Sequence, residues 1–185
     1  MPKAIFGFSK WFFLLFTLFL GRATVAAEVP SMDADAYNHR GIDYYNNGQY
    51  DQAVADYTKA LAIKPKYAEA YNNRGLAYYK QGQYDQAVAD YTKALAIKPS
   101  DAEVYNNRGV VYGVTRQYDQ AISDFSRALE INPKYAEAYN NRAYAYYYLK
   151  DYGRAWADLH MAEKLGAKID TGFLKILREA SGREE

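Results

Sequence analysis

Cysteine is absent and histidine nearly so: His39 and His160 are the only two in 185 residues. Without cysteine there is no disulfide framework and no thiolate metal site, although the absence fits an oxidising compartment as well as a reducing one. Two histidines far apart in sequence offer no cluster of metal ligands. There is no glycine-rich phosphate loop and no Ser–His–Asp constellation. No excess of one charge exists either, with 23 Lys and Arg against 22 Asp and Glu. A near-neutral chain with interspersed signs lacks the basic stripe that nucleic-acid binding requires. These absences predict a protein that is not an enzyme, holds no cofactor and binds no nucleic acid.

Long apolar runs are also missing, with one short exception. Trp11 to Leu20 is apolar except for Thr17, is preceded by Lys3 and Lys10, and is broken by Gly21 and Arg22. Val25, Ala26 and Ala27 place small residues before Glu28. This layout predicts a secretory signal peptide over residues 1–27, cut before Glu28. The ten-residue run is short of the ~20 residues that cross a bilayer as a helix, and an uncleaved membrane anchor is the alternative. Cleavage removes three cations and no acid, so the net charge of +1 becomes −2. Residues 28–33 form a short tether.

What is abundant is repetition, and tyrosine, of which there are 21. GQYDQAVADYTKALAIKP runs from Gly48 to Pro65 and recurs unchanged from Gly82 to Pro99, and KYAEAYNNR begins at Lys66 and again at Lys134. A fixed period of this size signals a solenoid, in which each unit buries its apolar face only against its neighbours. With the first position of each unit at Ala34, Ala68, Ala102 and Ala136, four units cover residues 34–67, 68–101, 102–135 and 136–169. In the first unit Tyr37, Gly41, Tyr44 and Tyr45 form one helical stripe, and Tyr50, Ala53, Val54, Tyr57, Ala60 and Leu61 another. Gly48 falls between them as a turn residue, and Pro65 stops the second helix. Each unit is therefore read as helix, tight turn and antiparallel helix.

The pattern resembles the tetratricopeptide repeat: an aromatic at position 4, a small residue at 8, an aromatic at 11, Ala at 20, an aromatic at 24, Ala at 27 and Pro at 32. In the second unit these are Tyr71, Gly75, Tyr78, Ala87, Tyr91, Ala94 and Pro99, and the first and third units match in phase. The fourth is looser, with Ala143 and Leu159 at positions 8 and 24 and Ala167 where proline belongs. The resemblance implies an all-α, right-handed α-solenoid of four helix-turn-helix repeats. After it, Phe173, Ile176, Leu177 and Ala180 are spaced as an apolar stripe, which predicts a capping helix over residues 170–181, begun by Asp170 or Thr171 and ending in a frayed tail at 182–185. Gly41 is expected opposite Ala53, letting the two helices of the unit approach closely.

The resemblance further implies that a protein or peptide partner lies as an extended segment along a concave surface lined by the first helix of each unit. Position 5 there is an asparagine ladder, Asn38, Asn72, Asn106 and Asn140, whose amides suit a peptide backbone. Tyr45, Tyr79, Tyr144, Tyr147 and Tyr148 supply amphipathic contact area. The same side chains could equally tie the repeats together. Tyr144, Tyr147 and Tyr148 make the C-terminal end of the groove the chief break in its symmetry. Relatives that grip acidic chaperone C-termini use lysine and asparagine at positions 5 and 9; here those positions hold Asn38 and Ile42, then Asn72 and Leu76, so that ligand is not expected.

Position 7 carries Arg40, Arg74, Arg108 and Arg142, and position 23 carries Asp56, Asp90, Asp124 and Asp158. Folding the chain back at each proline predicts pairs between units: Arg74 with Asp56, Arg108 with Asp90, Arg142 with Asp124. Pairing within a unit is the competing arrangement. Taken together, the expected protein is an exported interaction module or scaffold, in a bacterial periplasm, that assists assembly of an envelope or secretion complex. The alternatives are a self-associating building block and an accessory subunit anchored to the inner membrane.

Overall fold

The computed structural model describes residues 32–182. The expected signal peptide, most of the tether and residues 183–185 lie outside them. All regular elements among the described residues are helices: α1 (Ala34–Asn46), α2 (Tyr50–Ile63), α3 (Ala68–Lys80), α4 (Tyr84–Ile97), α5 (Ala102–Val114), α6 (Tyr118–Ile131), α7 (Ala136–Tyr148), α8 (Tyr152–Lys164) and α9 (Thr171–Ser181). The chain is an α-solenoid in which each helix packs on the next one in sequence. Successive first helices (α1 with α3, α3 with α5, α5 with α7) also touch, whereas the second helices of successive units do not come as close. The first helices therefore line the inner side. None of the described helices is long and apolar enough to cross a membrane.

Local chemistry fixes the helix ends. Asp33 and Asp170 accept from the backbone N–H of Ala36 and Phe173, each at 2.7 Å, and so begin α1 and α9. Position 15, between the helices of a unit, is left-handed throughout. Gly48 and Gly82 adopt φ of 74° and 73° without strain, but Arg116 and Lys150 hold φ of 63° and 62° in the third and fourth units. A side chain there costs about 1 kcal/mol or more.

The crossing within a unit is set by glycine against an aromatic ring. A Cβ added to Gly75 would stand 2.7 Å from Tyr91 Cε1, and the first and third units repeat this with Gly41 against Tyr57 and Gly109 against Phe125. The nearest neighbour of Gly41 is thus Tyr57, at position 24, and not Ala53. Because Tyr91 is fully buried, an alanine at Gly75 overpacks the crossing at a cost of ~1–3 kcal/mol. The fourth unit changes both partners together: Ala143 fills position 8, Leu159 replaces the ring, and the two share one core with Tyr146, Trp156 and Phe173.

The arginine–aspartate pairs form within units, contrary to the inter-unit pairing expected from the sequence. Arg40 binds Asp56, Arg74 binds Asp90, Arg108 binds Asp124 and Arg142 binds Asp158. Each is bidentate; Arg74 donates from Nε to Asp90 Oδ2 at 2.7 Å and from Nη2 to Oδ1 at 2.9 Å. The reason is the position of the two fold-back points. Gly48 is the midpoint of Arg40 and Asp56, so the tight turn brings positions 7 and 23 of one unit together. Lys66, beside Pro65, is the midpoint of Thr58 and Arg74, so the proline turn brings position 25 of one unit to position 7 of the next. Arg74 Nη1 accordingly donates to Thr58 Oγ1 at 2.9 Å, Arg108 Nη1 to Thr92 at 3.0 Å and Arg142 Nη1 to Ser126 at 2.9 Å. The arginines do join units, through a hydroxyl in place of the expected carboxylate. Each guanidinium also lies between the rings at positions 4 and 11, as Arg74 does between Tyr71 and Tyr78.

Helix α9 closes the C-terminal end with a different stripe from the one expected. Phe173 and Leu177 are buried and Leu174 packs against the same cluster, whereas Ile176 is 42% exposed and Ala180 faces solvent. At ~100° per residue the three contacting positions fall on one face and Ile176 lies on its flank.

Candidate functional site

The asparagines at position 5 are placed inside the inner wall. Asn38, Asn72 and Asn106 are buried, and each Oδ1 accepts from the amide of the following unit: Asn73 to Asn38 and Asn107 to Asn72 at 3.2 Å, Asn141 to Asn106 at 3.0 Å. The ladder thus stitches neighbours through positions 5 and 6. It ends at Asn140, whose buried Oδ1 has no hydrogen-bond partner among the described residues. No following unit supplies a position-6 amide there.

The tyrosines divide into three sets. Tyr45 packs on Tyr50 with centroids 5.5 Å apart, Tyr79 on Tyr84 at 6.0 Å and Tyr147 on Tyr152 at 5.9 Å. This is one repeated contact, position 12 against position 17 within a unit. Tyr144 stacks on Phe173 of α9 at 3.6 Å, and Tyr147 meets the same ring edge-on. Burial first, and the charge of Asp170 second, push the Tyr144 hydroxyl above the ordinary phenol range, so it stays a neutral donor. Tyr148 stands apart: it is 57% exposed and lies nearly parallel to Tyr118 at 4.9 Å.

That last stack reveals a feature that reading the tyrosines alone missed. In the third unit position 12 is Gly113, so Tyr118 at position 17 has no partner in its own unit. Tyr148 of the next unit takes the place. The absent ring leaves a cleft of about 690 Å³ between the third and fourth units, within the range typical of ligand sites. Gly113 and Ala145 are small residues of its lining. Val110, Val114, Tyr144 and Tyr148 give it apolar and aromatic walls, and Asn141 and Arg116 contribute polar groups. Nothing lies within 4 Å of the Cβ that Gly113 lacks. The signal was present in the sequence as a glycine where three units have tyrosine.

His39 and His160 sit on α1 and α8, both exposed. His160 lies against Trp156 at 5.7 Å, beside a smaller cleft of about 210 Å³ under α9.

Comparison with known proteins gives a consistent result. Models of the TPR repeat match residues 41–82 and 75–113, and models of the tetratricopeptide repeat match 102–135 and 125–157. No curated protein matches the chain in sequence. Among solved structures, PilF of Pseudomonas aeruginosa superposes with a TM-score of 0.73 at 23% identity, over 81% of this chain and 69% of that one. MamA from Desulfovibrio magneticus RS-1 gives 0.68 at 23%, over 72% and 75%. At such identities the likeness establishes the fold alone. The first TPR of Spaghetti (RPAP3), bound to the HSP90 peptide SRMEEVD, gives 0.62 at 28%, over 63% of this chain and 92% of that one.

Proposed function

Since the chain belongs to the tetratricopeptide repeat family, we propose that it is a protein-interaction module that holds an extended segment of a partner protein along its inner groove and carries out no reaction of its own. The observation that carries this reading is the cleft at Gly113: an apolar, aromatic-walled recess on the side lined by the first helices, opened where one repeat departs from the others. The peptide held by the RPAP3 repeat supports a peptide-sized ligand. Its particular ligand does not transfer, because positions 5 and 9 pair Asn38 with Ile42 and Asn72 with Leu76 in the first two units, with no lysine at either place.

Roles along the groove follow from exposure. Tyr148 offers a largely exposed ring, and Tyr45 and Tyr79 offer half-exposed rings. Tyr144 is itself a wall of the cleft and is held there by its stack on Phe173, whereas Tyr147 packs on Phe173 and Tyr152 and does not line it. Asn38, Asn72 and Asn106 act by fixing the spacing of the units and, through it, the position-6 side chains that a bound backbone meets, whereas the buried Oδ1 of Asn140 has no such partner among the described residues. Tyr148→Ala is expected to weaken partner binding by more than ~1 kcal/mol with an unchanged melting curve. Equal affinity for wild type and variant in a titration with the purified partner would remove Tyr148 from the site.

The reading extends to location. An exported module, released before Glu28 and working in the periplasm on assembly of an envelope or secretion complex, accounts for the basic, apolar and small-residue order of residues 1–27. Intact mass of the exported protein is expected to place its first residue within two positions of Glu28. A membrane-bound species that retains Trp11 to Leu20 would establish the anchored form instead.

A further inference from the structure

We infer that the cleft between the third and fourth units selects an aromatic side chain immediately followed by an acidic residue within the partner segment. This rests on the groove reading above and adds the chemistry of its ligand.

Three observations combine. First, the cleft replaces a side chain that the array uses elsewhere. Tyrosines stand at position 12 in the first, second and fourth units; here Gly113 leaves the recess open above it, while Tyr148 takes over the stack on Tyr118. An incoming aromatic group would fill the recess that remains, against the Val110 and Val114 side chains and the Tyr148 ring that line it. Second, the cleft carries one charge. Arg116 is the only ionisable cation or anion of its lining. Its guanidinium makes no ion pair or hydrogen bond among the described residues, in contrast to Arg40, Arg74, Arg108 and Arg142, all of which hold an aspartate. The smaller cleft under α9 differs in this respect, having both Glu163 and Arg178 in its lining and so no preference of sign. Third, Arg116 occupies a left-handed backbone position, φ 63°, where the first two units have glycine. A single cation in the lining of an otherwise uncharged recess is what charge selection needs. Lys150 shares the strain in the fourth unit but does not line the cleft.

The geometry sets the order of the two groups. The aromatic ring enters the recess over Gly113. The next side chain of an extended segment projects to the opposite face of its backbone, toward the rim, where the turn residue Arg116 meets it. Asn141 uses its amide nitrogen on Asn106. Its Oδ1 remains to accept a backbone N–H of the segment.

Two substitutions test this, and each installs a residue that other units already carry. Gly113→Tyr refills the recess as in the first, second and fourth units, and Arg116→Gly restores the residue of the first and second. The probes are acetylated, amidated hexapeptides, Gly-Ser-Trp-Glu-Ser-Gly and its Trp-Lys and Ala-Glu counterparts, titrated against residues 28–185 by amide NMR. The Trp-Glu probe is expected to shift the amides of Gly113 and Asn141. The Trp-Lys probe is expected to bind about three- to fivefold more weakly, and the Ala-Glu probe to leave the amides unmoved. Arg116→Gly should lower Trp-Glu and raise Trp-Lys until the two bind equally, and Gly113→Tyr should abolish both. Equal binding of Trp-Glu and Trp-Lys by the wild type overturns the acidic preference while the groove reading stands. Shifts that survive Gly113→Tyr overturn the cleft as the site. Loss of a dimer in light scattering on Gly113→Tyr assigns the recess to a second copy of this chain and overturns the proposal in favour of self-assembly. Should Gly113→Tyr fail to fold, Val114→Asn, the residue the first unit carries at position 13, makes an apolar wall polar and is expected to weaken both Trp probes; unchanged shifts there overturn the cleft as the site.

Discussion

Replacing Asp90 with alanine is expected to lower the unfolding free energy by about 3–5 kcal/mol, because it strands a buried guanidinium. The Arg74 side chain is 14% exposed and that of Asp90 4%. Without the carboxylate, Arg74 keeps one hydroxyl partner, Thr58, and two flanking rings. At ~2–4 °C of melting temperature per kcal/mol for a chain of this size, the shift is about 6–20 °C. Asp56→Ala is the internal control. Its partner Arg40 is 41% exposed and, among the described residues, makes no counterpart of the Arg74–Thr58 bond, so water can solvate what the carboxylate releases. The Asp56 effect is expected to be clearly the smaller. Adding Arg74→Met to Asp90→Ala should recover most of the loss, since a buried pair and an apolar replacement are close in free energy. Equal and small effects at Asp56 and Asp90 would mean that the pairs do not hold the units.

Phe173→Ala is expected to cost a further class of stability, about 3–5 kcal/mol for a ring fully enclosed in the terminal core. Phe173 is 2% exposed and bridges Tyr144 and Tyr147 on one side to the Trp156 cluster on the other. Helix α9 is tied again at its far end, where Trp156 Nε1 donates to Ser181 Oγ at 3.1 Å. Trp156 is the only tryptophan in residues 28–185. Its emission should therefore move to longer wavelength as α9 detaches, before the rest of the array melts. Ile176→Ala, one turn away but 42% exposed, should leave both melt and emission unchanged. A Phe173→Ala protein with native emission and native melting would show that α9 is no cap.

Seen against these contacts, what was readable in the sequence depended on distance along the chain. The helices, the turn glycines Gly48 and Gly82, and the cap Asp170 are local features, and their residues state them directly. The arginine pairing was not readable to the same degree. Arg74 lies 16 residues from both Thr58 and Asp90, one on each side, so spacing alone gives either partner equal claim. The decision comes from where each turn centres, a matter of one or two residues of register. Asn38, Asn72 and Asn106 carry the same ambiguity. A polar ladder on the inner helices reads alike whether it faces a ligand or the next unit, and each asparagine is in fact turned to position 6 of its neighbour. Tyr144 and Tyr147 were legible as a break in symmetry, but their contact with Phe173 depends on the crossing angle of α9, which no repeat encodes. The cleft was written as an absence, Gly113, and absences are overlooked when the search is for large side chains.

The central claim is that a partner segment occupies the inner groove at the cleft, and photocrosslinking from inside it is the direct measurement. Val114 lines the cleft and is 47% exposed, so benzoylphenylalanine fits there without disturbing the core. Ala89, exposed on the second helix of the second unit, is the control position. Irradiation of cells that make both proteins at native level is predicted to give a discrete heterologous adduct from position 114, none from position 89, and loss of the adduct when Gly113→Tyr is added. Adducts of equal yield from both positions, or an adduct indifferent to Gly113→Tyr, would contradict the claim.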